Sequence, residues 1–235
     1  MHAFKQHLRA VTLFISSIIF FSGCATTSGT VRDYEPGAVV ETLSSSVALS
    51  IQTSERGMSG QGYMVYRKPD QVHLVVLSPF GTTVMEIFAL GRQITLVFPS
   101  KNTAYTGSID ELPETGGLQG WRMMRWVIDV DPSGELHGSG TVERMGKLGF
   151  VEKVTYADGL IISKSAPNGD QVFYEKYDVV DGVPVAVKVE MRNSSDDRVR
   201  LTLTDPEVNT VLEDVVFTPQ IDDYTILPLS ALQGL

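Results

Sequence analysis

The sequence predicts a mainly β protein, built as a single antiparallel sheet of about 11 strands with one helical interruption. Runs rich in Val, Ile, Tyr, Phe and Thr recur from Leu43 onward. Turn residues separate them at intervals of about ten residues, the spacing of antiparallel sheets. Only one stretch, "GGLQGWRMMRWVIDVD", sets its apolar residues at helical spacing, with Leu118, Trp121, Met124 and Ile128 on one face and Trp126 beside them.

Taken in order, the chain opens with "MHAFKQHLRAVTLFISSIIFFSGC". A basic start (Lys5, Arg9), an apolar run from Val11 to Phe21 and small residues before a cysteine have the layout of a secretory signal. Phe21-Ser22-Gly23-Cys24 also resembles the bacterial lipoprotein signal, in which the cysteine is lipidated and the chain is cut before it. Cys24 is the only cysteine, and a single cysteine in an exported chain calls for such an explanation. The alternative is an ordinary signal or a transmembrane helix with an incidental cysteine, but the apolar run is short for spanning. The expectation is a signal peptide over 1–23, a lipidated tether over 24–42 and a folded body over 43–235. By resemblance to proteobacterial lipoproteins, Ala25 after the cysteine implies sorting to the outer membrane, with the body facing the periplasm.

The expected strands are Val47 to Thr53, Gly62 to Arg67, Val72 to Leu77, Thr83 to Leu90, Gln93 to Phe98, Phe150 to Tyr156, Leu160 to Ser165, Gln171 to Val179, Val185 to Arg192, Val199 to Asp205 and Asp214 to Thr218. Lys68-Pro69-Asp70, Asp158-Gly159, Asn168-Gly169 and Asp181-Gly182 supply turns between them, so the body reads as one long meander. Ser108 with Glu111 has the spacing of a capping box.

The formal charge of -9 becomes -11 once the signal takes Lys5 and Arg9, and no acid, with it. So acidic a body has no electrostatic reason to bind nucleic acid. Catalytic readings fail on inventory: after Cys24 only His73 and His137 remain, with no nucleophile elbow and no H-E-x-x-H. Asp129 to Gly134 begins like a calcium loop, but Gly140 stands where the bidentate Glu belongs. The expectation is a protein that is not an enzyme and has no cofactor or metal. Asn193-Ser194-Ser195 reads as a hairpin turn.

Two features do not fit a plain sheet. Leu74 and Val76 alternate with Val75 and Leu77, so both faces of one strand are apolar. A solvated antiparallel sheet keeps one polar face, so either the second face is covered or one face lines a cavity. Ser78-Pro79-Phe80-Gly81 then puts a bulky Phe80 in a turn. It either folds back as a core cap or points outward.

The strand Gly62 to Tyr66, the loop Pro79-Phe80-Gly81-Thr82, the strand Val84 to Ile87 and the Val183 to Leu203 hairpin together resemble LolB-type outer-membrane lipoproteins. The likeness covers most of the mature chain in pattern and is sharp at Pro79 to Gly81 and at the lipidation signal. It implies a strongly curved, incomplete β-barrel with helical cover over its open face, here Trp121, Met124 and Trp126. It implies acyl-chain binding on a concave face to which strand parity assigns Met64, Tyr66, Leu74, Val76, Met85, Ile87, Ile94 and Leu96. It also implies a membrane- or cargo-contacting loop, Pro79, Phe80 and Gly81, where the family projects a leucine. The implied activity is receipt of lipoproteins from a LolA-type periplasmic carrier and their insertion into the outer membrane. The alternatives are a lipid-binding lipoprotein of the same fold and a structural lipoprotein that docks another envelope assembly.

Overall fold

The computed structural model describes residues 34, 38–53, 57–112, 126–128, 130 and 138–232. Cys24, Trp121, Met124, His137 and most of the Asp129 to Gly134 motif lie outside the described residues.

Strands β1 (Thr42–Gln52), β2 (Gly57–Arg67), β3 (Gln71–Leu77), β4 (Thr83–Leu90), β5 (Gln93–Phe98) and β6 (Thr103–Ser108) form one antiparallel meander. A second meander comprises β7 (Gly140–Met145), β8 (Val151–Ala157), β9 (Leu160–Ser165), β10 (Gln171–Val180), β11 (Val183–Arg192) and β12 (Arg198–Val208). Antiparallel pairing of β1 with β12, from Leu43 opposite Val208 to Gln52 opposite Arg198, fuses the two. A last strand, β13 (Thr225–Pro228), runs parallel to β6. The result is one open 13-stranded sheet with β13 and β7 at its edges.

Several expectations are corrected here. The single meander is two, because the first strand lies in the middle of the sheet rather than at an edge. Asp214–Phe217 is a 3-10 turn closed by Val216 N–H to Glu213 O, not a strand. Three strands were not foreseen, because each lacks a strong apolar alternation. β6 buries only Ala104, β7 is an edge with Glu143 and Arg144 on it, and β13 has four residues ending in proline. The body also begins before Leu43: Ala38 and Val40 pack on the core, and Asn209 Nδ2 donates to Val39 O at 3.2 Å.

Register decides which side chains share a face. Met64, Leu74, Ile87 and Leu96 stand opposite one another across β2 to β5. On the same side lie Tyr66 with Val72, Val76 with Met85, and Ala89 with Ile94. All eight residues assigned to one face by parity therefore do share it. Val47 opposite Leu203 and Leu201 opposite Val189 carry this inner face on to β11.

The outer face of β3–β6 is covered by the chain after β12, not by helices. Arg67 donates to Leu212 O at 3.2 Å and to Asp214 at 2.7 Å, and its guanidinium lies 4.7 Å from the centre of the Phe217 ring. Ile221 and Tyr224 then pack on Phe88, Val97 and Ala104. After β13 the chain returns to the inner core, where Leu229 is fully buried. This strap accounts for the apolar outer positions Phe88, Val97 and Ala104 on β4–β6, while Val75 and Leu77 on β3 remain half-buried.

Candidate functional site

The inner face and the Ser78–Thr82 loop are the candidate site. In the loop, Gly81 N–H donates to Ser78 O at 2.9 Å, and Ser78 N–H to Thr82 O at 2.8 Å. Pro79 supplies its fixed φ at the second turn position, and Gly81 takes φ +80, the left-handed geometry that glycine adopts without strain. Ser78 Oγ adds contacts to Phe80 N–H at 3.2 Å and to Thr82 Oγ1 at 2.7 Å. Five residues thus hold their own shape through these bonds. Phe80 is 94% exposed, so it does not cap the core. A Cβ placed on Gly81 would meet nothing within 4 Å, so the space beside the loop tip is open at that position.

Opposite the inner face lies the short helical piece Trp126 to Ile128. Trp126 and Val127 are buried, and Val127, Ile128 and Val130 face Met64, Tyr66, Tyr174, Val185, Leu201 and Leu203 across a gap of about 60 Å³.

The piece is tied down by polar groups that are themselves buried. Lys164 Nζ donates to Trp126 O at 2.9 Å, and Tyr174 OH to Val127 O at 2.7 Å. Trp126 Nε1 donates to Glu152, whose other oxygen accepts from Arg144 Nε at 2.6 Å. Glu152 and Lys164 are almost wholly buried, so these bonds help to satisfy polar groups that have been taken out of water. Residue composition alone gave no sign of this latch, although Glu152, at a strand position that alternation with Val154 and Tyr156 assigns to the interior, is the signal that could have found it.

The remaining candidates have structural explanations. His73 stacks on Phe88 at 4.0 Å and its Nε2 lies 3.1 Å from Glu86. Asn193 closes the β11–β12 turn by accepting from Ser195 and Asp197 N–H at 2.9 Å each. Burial pushes the Tyr177 hydroxyl well above the ordinary tyrosine range, with Tyr156 adding to the effect, while the hydroxyl donates to Ile161 O at 2.7 Å. No group of three or more His, Cys, Asp or Glu side chains is gathered for a metal among the described residues.

Two solved structures share this architecture. One is a DUF1329-family protein from Desulfovibrio piger, with 11% identity, TM-score 0.57, and coverage of 77% of this chain and 90% of that one. The other is a LolA superfamily protein from Nitrosomonas europaea, with 14% identity, TM-score 0.56, and coverage of 79% and 93%. A search of curated protein sequences gives no match. The open sheet with a buried inner face is thus a fold this chain shares with both structures. The family model described as "Outer membrane lipoprotein LolB" matches residues 42–205, most of the chain, and the protein belongs to that family. The strap after Asp205 lies outside the match.

Proposed function

We propose that this protein is a lipoprotein anchored through Cys24 to the outer membrane, facing the periplasm. It accepts other lipoproteins from a LolA-type carrier and inserts them into that membrane. The sheet curls as an incomplete barrel, and incoming acyl chains take the inner face by displacing Val127, Ile128 and Val130. Apolar groups replace apolar groups, so exchange needs no covalent step, nucleotide or metal, and the protein is not an enzyme.

The observation that carries this reading is Phe80. An aromatic ring 94% exposed on a self-braced turn is costly in water and has a use only where an apolar phase receives it. At roughly 25 cal/mol per Å² of apolar surface, burying such a ring yields about 2–3 kcal/mol. That is enough to dock a tip reversibly and too little to hold it there. Release of cargo into the bilayer is then a handover between two apolar environments, in which each methylene is worth about 0.8 kcal/mol wherever it is buried.

Depletion of the protein in its host tests the proposal. Lipoproteins should accumulate as soluble complexes with the carrier, and unchanged lipoprotein localisation in a strain lacking any second insertase would overturn it.

A further inference from the structure

The outer face of β11 and β12 carries three arginines at the Phe80 end of the sheet. Arg192, Arg198 and Arg200 alternate there with Met191, Val199 and Leu201, which pack inward. Glu190 is fully buried on this outer face and accepts from Nε of Arg192 and from Nε of Arg200. The Arg192 guanidinium also lies 4.8 Å from the centre of the Phe173 ring. Two cations are thus fixed on one anion, which leaves the group with a single positive charge. Arg198 adds nothing to it, because Asp196 accepts from its Nη2 at 2.9 Å and cancels it.

Nε ties Arg200 down and leaves its Nη edge, which makes no bond among the described residues. Arg200 is half exposed and lines an open groove of about 380 Å³, within the size range of small-ligand sites. The hydroxyls of Ser50 and Ser195 in the same groove are likewise unbonded among the described residues. Arg200 also borders a second groove, shared with Ser78, Pro79 and Gly81. Register agrees: Arg200 stands opposite Ser50, and Ser50 opposite Ser59. Ser59 lies two residues past Gln61, the partner of Leu77, in the direction of the loop. The cation therefore stands level with the Ser78–Thr82 loop. Asp70, Asp158 and Asp181 occupy turns at the opposite end, so a net positive group at this end is a local departure in a chain of formal charge -9.

We propose that Arg200, with the Ser50 and Ser195 hydroxyls, forms a phosphate-binding site on the outer face that takes the phosphodiester of a membrane phospholipid. The single positive charge matches the single negative charge of a phosphodiester, and a planar guanidinium offers two parallel donors to two phosphate oxygens. Glu190 acts as the positioning residue, holding the fork still through Nε. The choice of a lipid as the source of the phosphate rests on the reading of Phe80 as a membrane-contacting residue: with the loop seated on a bilayer, Arg200 beside it meets the headgroups. The site is separate from the inner face that takes acyl chains, and it serves to hold the protein on the bilayer surface while cargo passes.

The test follows the arginine Nε–H signals of the full chain in neutral detergent micelles by nuclear magnetic resonance. Dihexanoylphosphatidylglycerol, inorganic phosphate or dihexanoylglycerol is added in turn. The phospholipid should move the Arg200 and Arg192 signals saturably, inorganic phosphate should bind more weakly, and the diacylglycerol, which has no phosphate, should leave them in place. Arg200→Gln should abolish binding, but it also takes a donor from Glu190. Ser50→Asp is therefore its pair: a carboxylate directly across from Arg200 occupies the Nη edge and leaves both donors on Glu190. It should weaken phospholipid binding by about tenfold or more, the loss of a charged hydrogen bond. Lys101→Gln, which removes a cation at the same end of the sheet, should bind as the parent does. Equal binding of inorganic phosphate would assign the site to free phosphate and overturn the proposal. A response to dihexanoylglycerol, undiminished binding by Ser50→Asp, or an equal loss in Lys101→Gln would overturn it too. Each of these results leaves the proposed function standing, because cargo transfer is not what the titration reads; normal delivery of lipoprotein by Phe80→Glu would remove that function and leave the phosphate titration unchanged.

Discussion

Trp126→Ala is the substitution that bears hardest on the site. The side chain is 1% exposed, its ring meets Phe150 edge-on at 5.9 Å, and its Nε1 donates to the buried Glu152 carboxylate. Truncating a buried tryptophan costs about 3–5 kcal/mol. Leaving Glu152 one donor short adds about 1–2 kcal/mol, at the low end because Arg144 still holds the other oxygen. The cost, about 4–7 kcal/mol, is a large share of the 5–15 kcal/mol that domains ordinarily possess. If the body unfolds in one step, each kcal/mol moves the melting temperature by about 2–4 °C at this size. Thermal denaturation followed by circular dichroism should therefore show a fall on the order of 10–25 °C. If instead the Trp126 to Val130 segment lifts by itself, the fall is smaller and the uncovered inner face binds an apolar fluorescent dye at room temperature. A variant that keeps the parental melting temperature and binds no dye would refute the account of Trp126 as the seated anchor of the cover.

Four further outcomes follow from the geometry. In Gly62→Ala, the new methyl would lie 1.7 Å from Val75 O, so β2 and β3 must part; expression as insoluble protein, or a loss of at least about 3 kcal/mol in urea unfolding, is expected. Leu229→Ala empties a fully buried position where the strap re-enters the inner core and should cost about 2–5 kcal/mol by the same measurement. For Glu190, burial raises the carboxyl pKa, but hydrogen bonds from Arg192 and Arg200 outweigh it and hold the group below its ordinary value. The carboxylate therefore stabilises the fold in full above its unfolded value near about 4.3 and loses that contribution as pH falls through the lower folded value, so the stability gap between parent and Glu190→Gln should be widest at neutral pH and should narrow below about pH 4. Lys164→Met removes a buried donor to Trp126 O at 2.9 Å; it should lower stability by about 1.5–3 kcal/mol and raise apolar-dye binding, read by fluorescence titration.

How much of this was legible in the sequence depends on which physical signal each element carries. Strands β4, β5 and β9 have the bounds that sequence reading assigned, because Gly91, Gly159 and Gly169 turns bracket apolar alternation on either side. Period-two parity also placed Met64, Leu74, Ile87 and Leu96 on one face without coordinates. Non-local pairing left no such trace. Nothing in "TLSSSVALSIQ" reveals that β1 pairs with β12 more than a hundred residues away, so the order of strands was hidden. The strap was hidden for the same reason: Val215 and Val216 look like strand residues, yet Arg67, remote in sequence, holds that stretch as a turn. At the site, a phenylalanine between proline and glycine was conspicuous, while the latch of Glu152 and Lys164 on Trp126 and of Tyr174 on Val127 needed three strands in place before it existed.

The most direct measurement of the central claim mixes a carrier loaded with a radiolabelled lipoprotein, this protein, and vesicles, and follows the label among the three. The account predicts that the parent and Phe80→Leu take the lipoprotein from the carrier and pass it to vesicles, whereas Phe80→Glu takes it up and retains it. Failure of the parent protein to remove lipoprotein from the carrier, or equal delivery by Phe80→Glu, would contradict it.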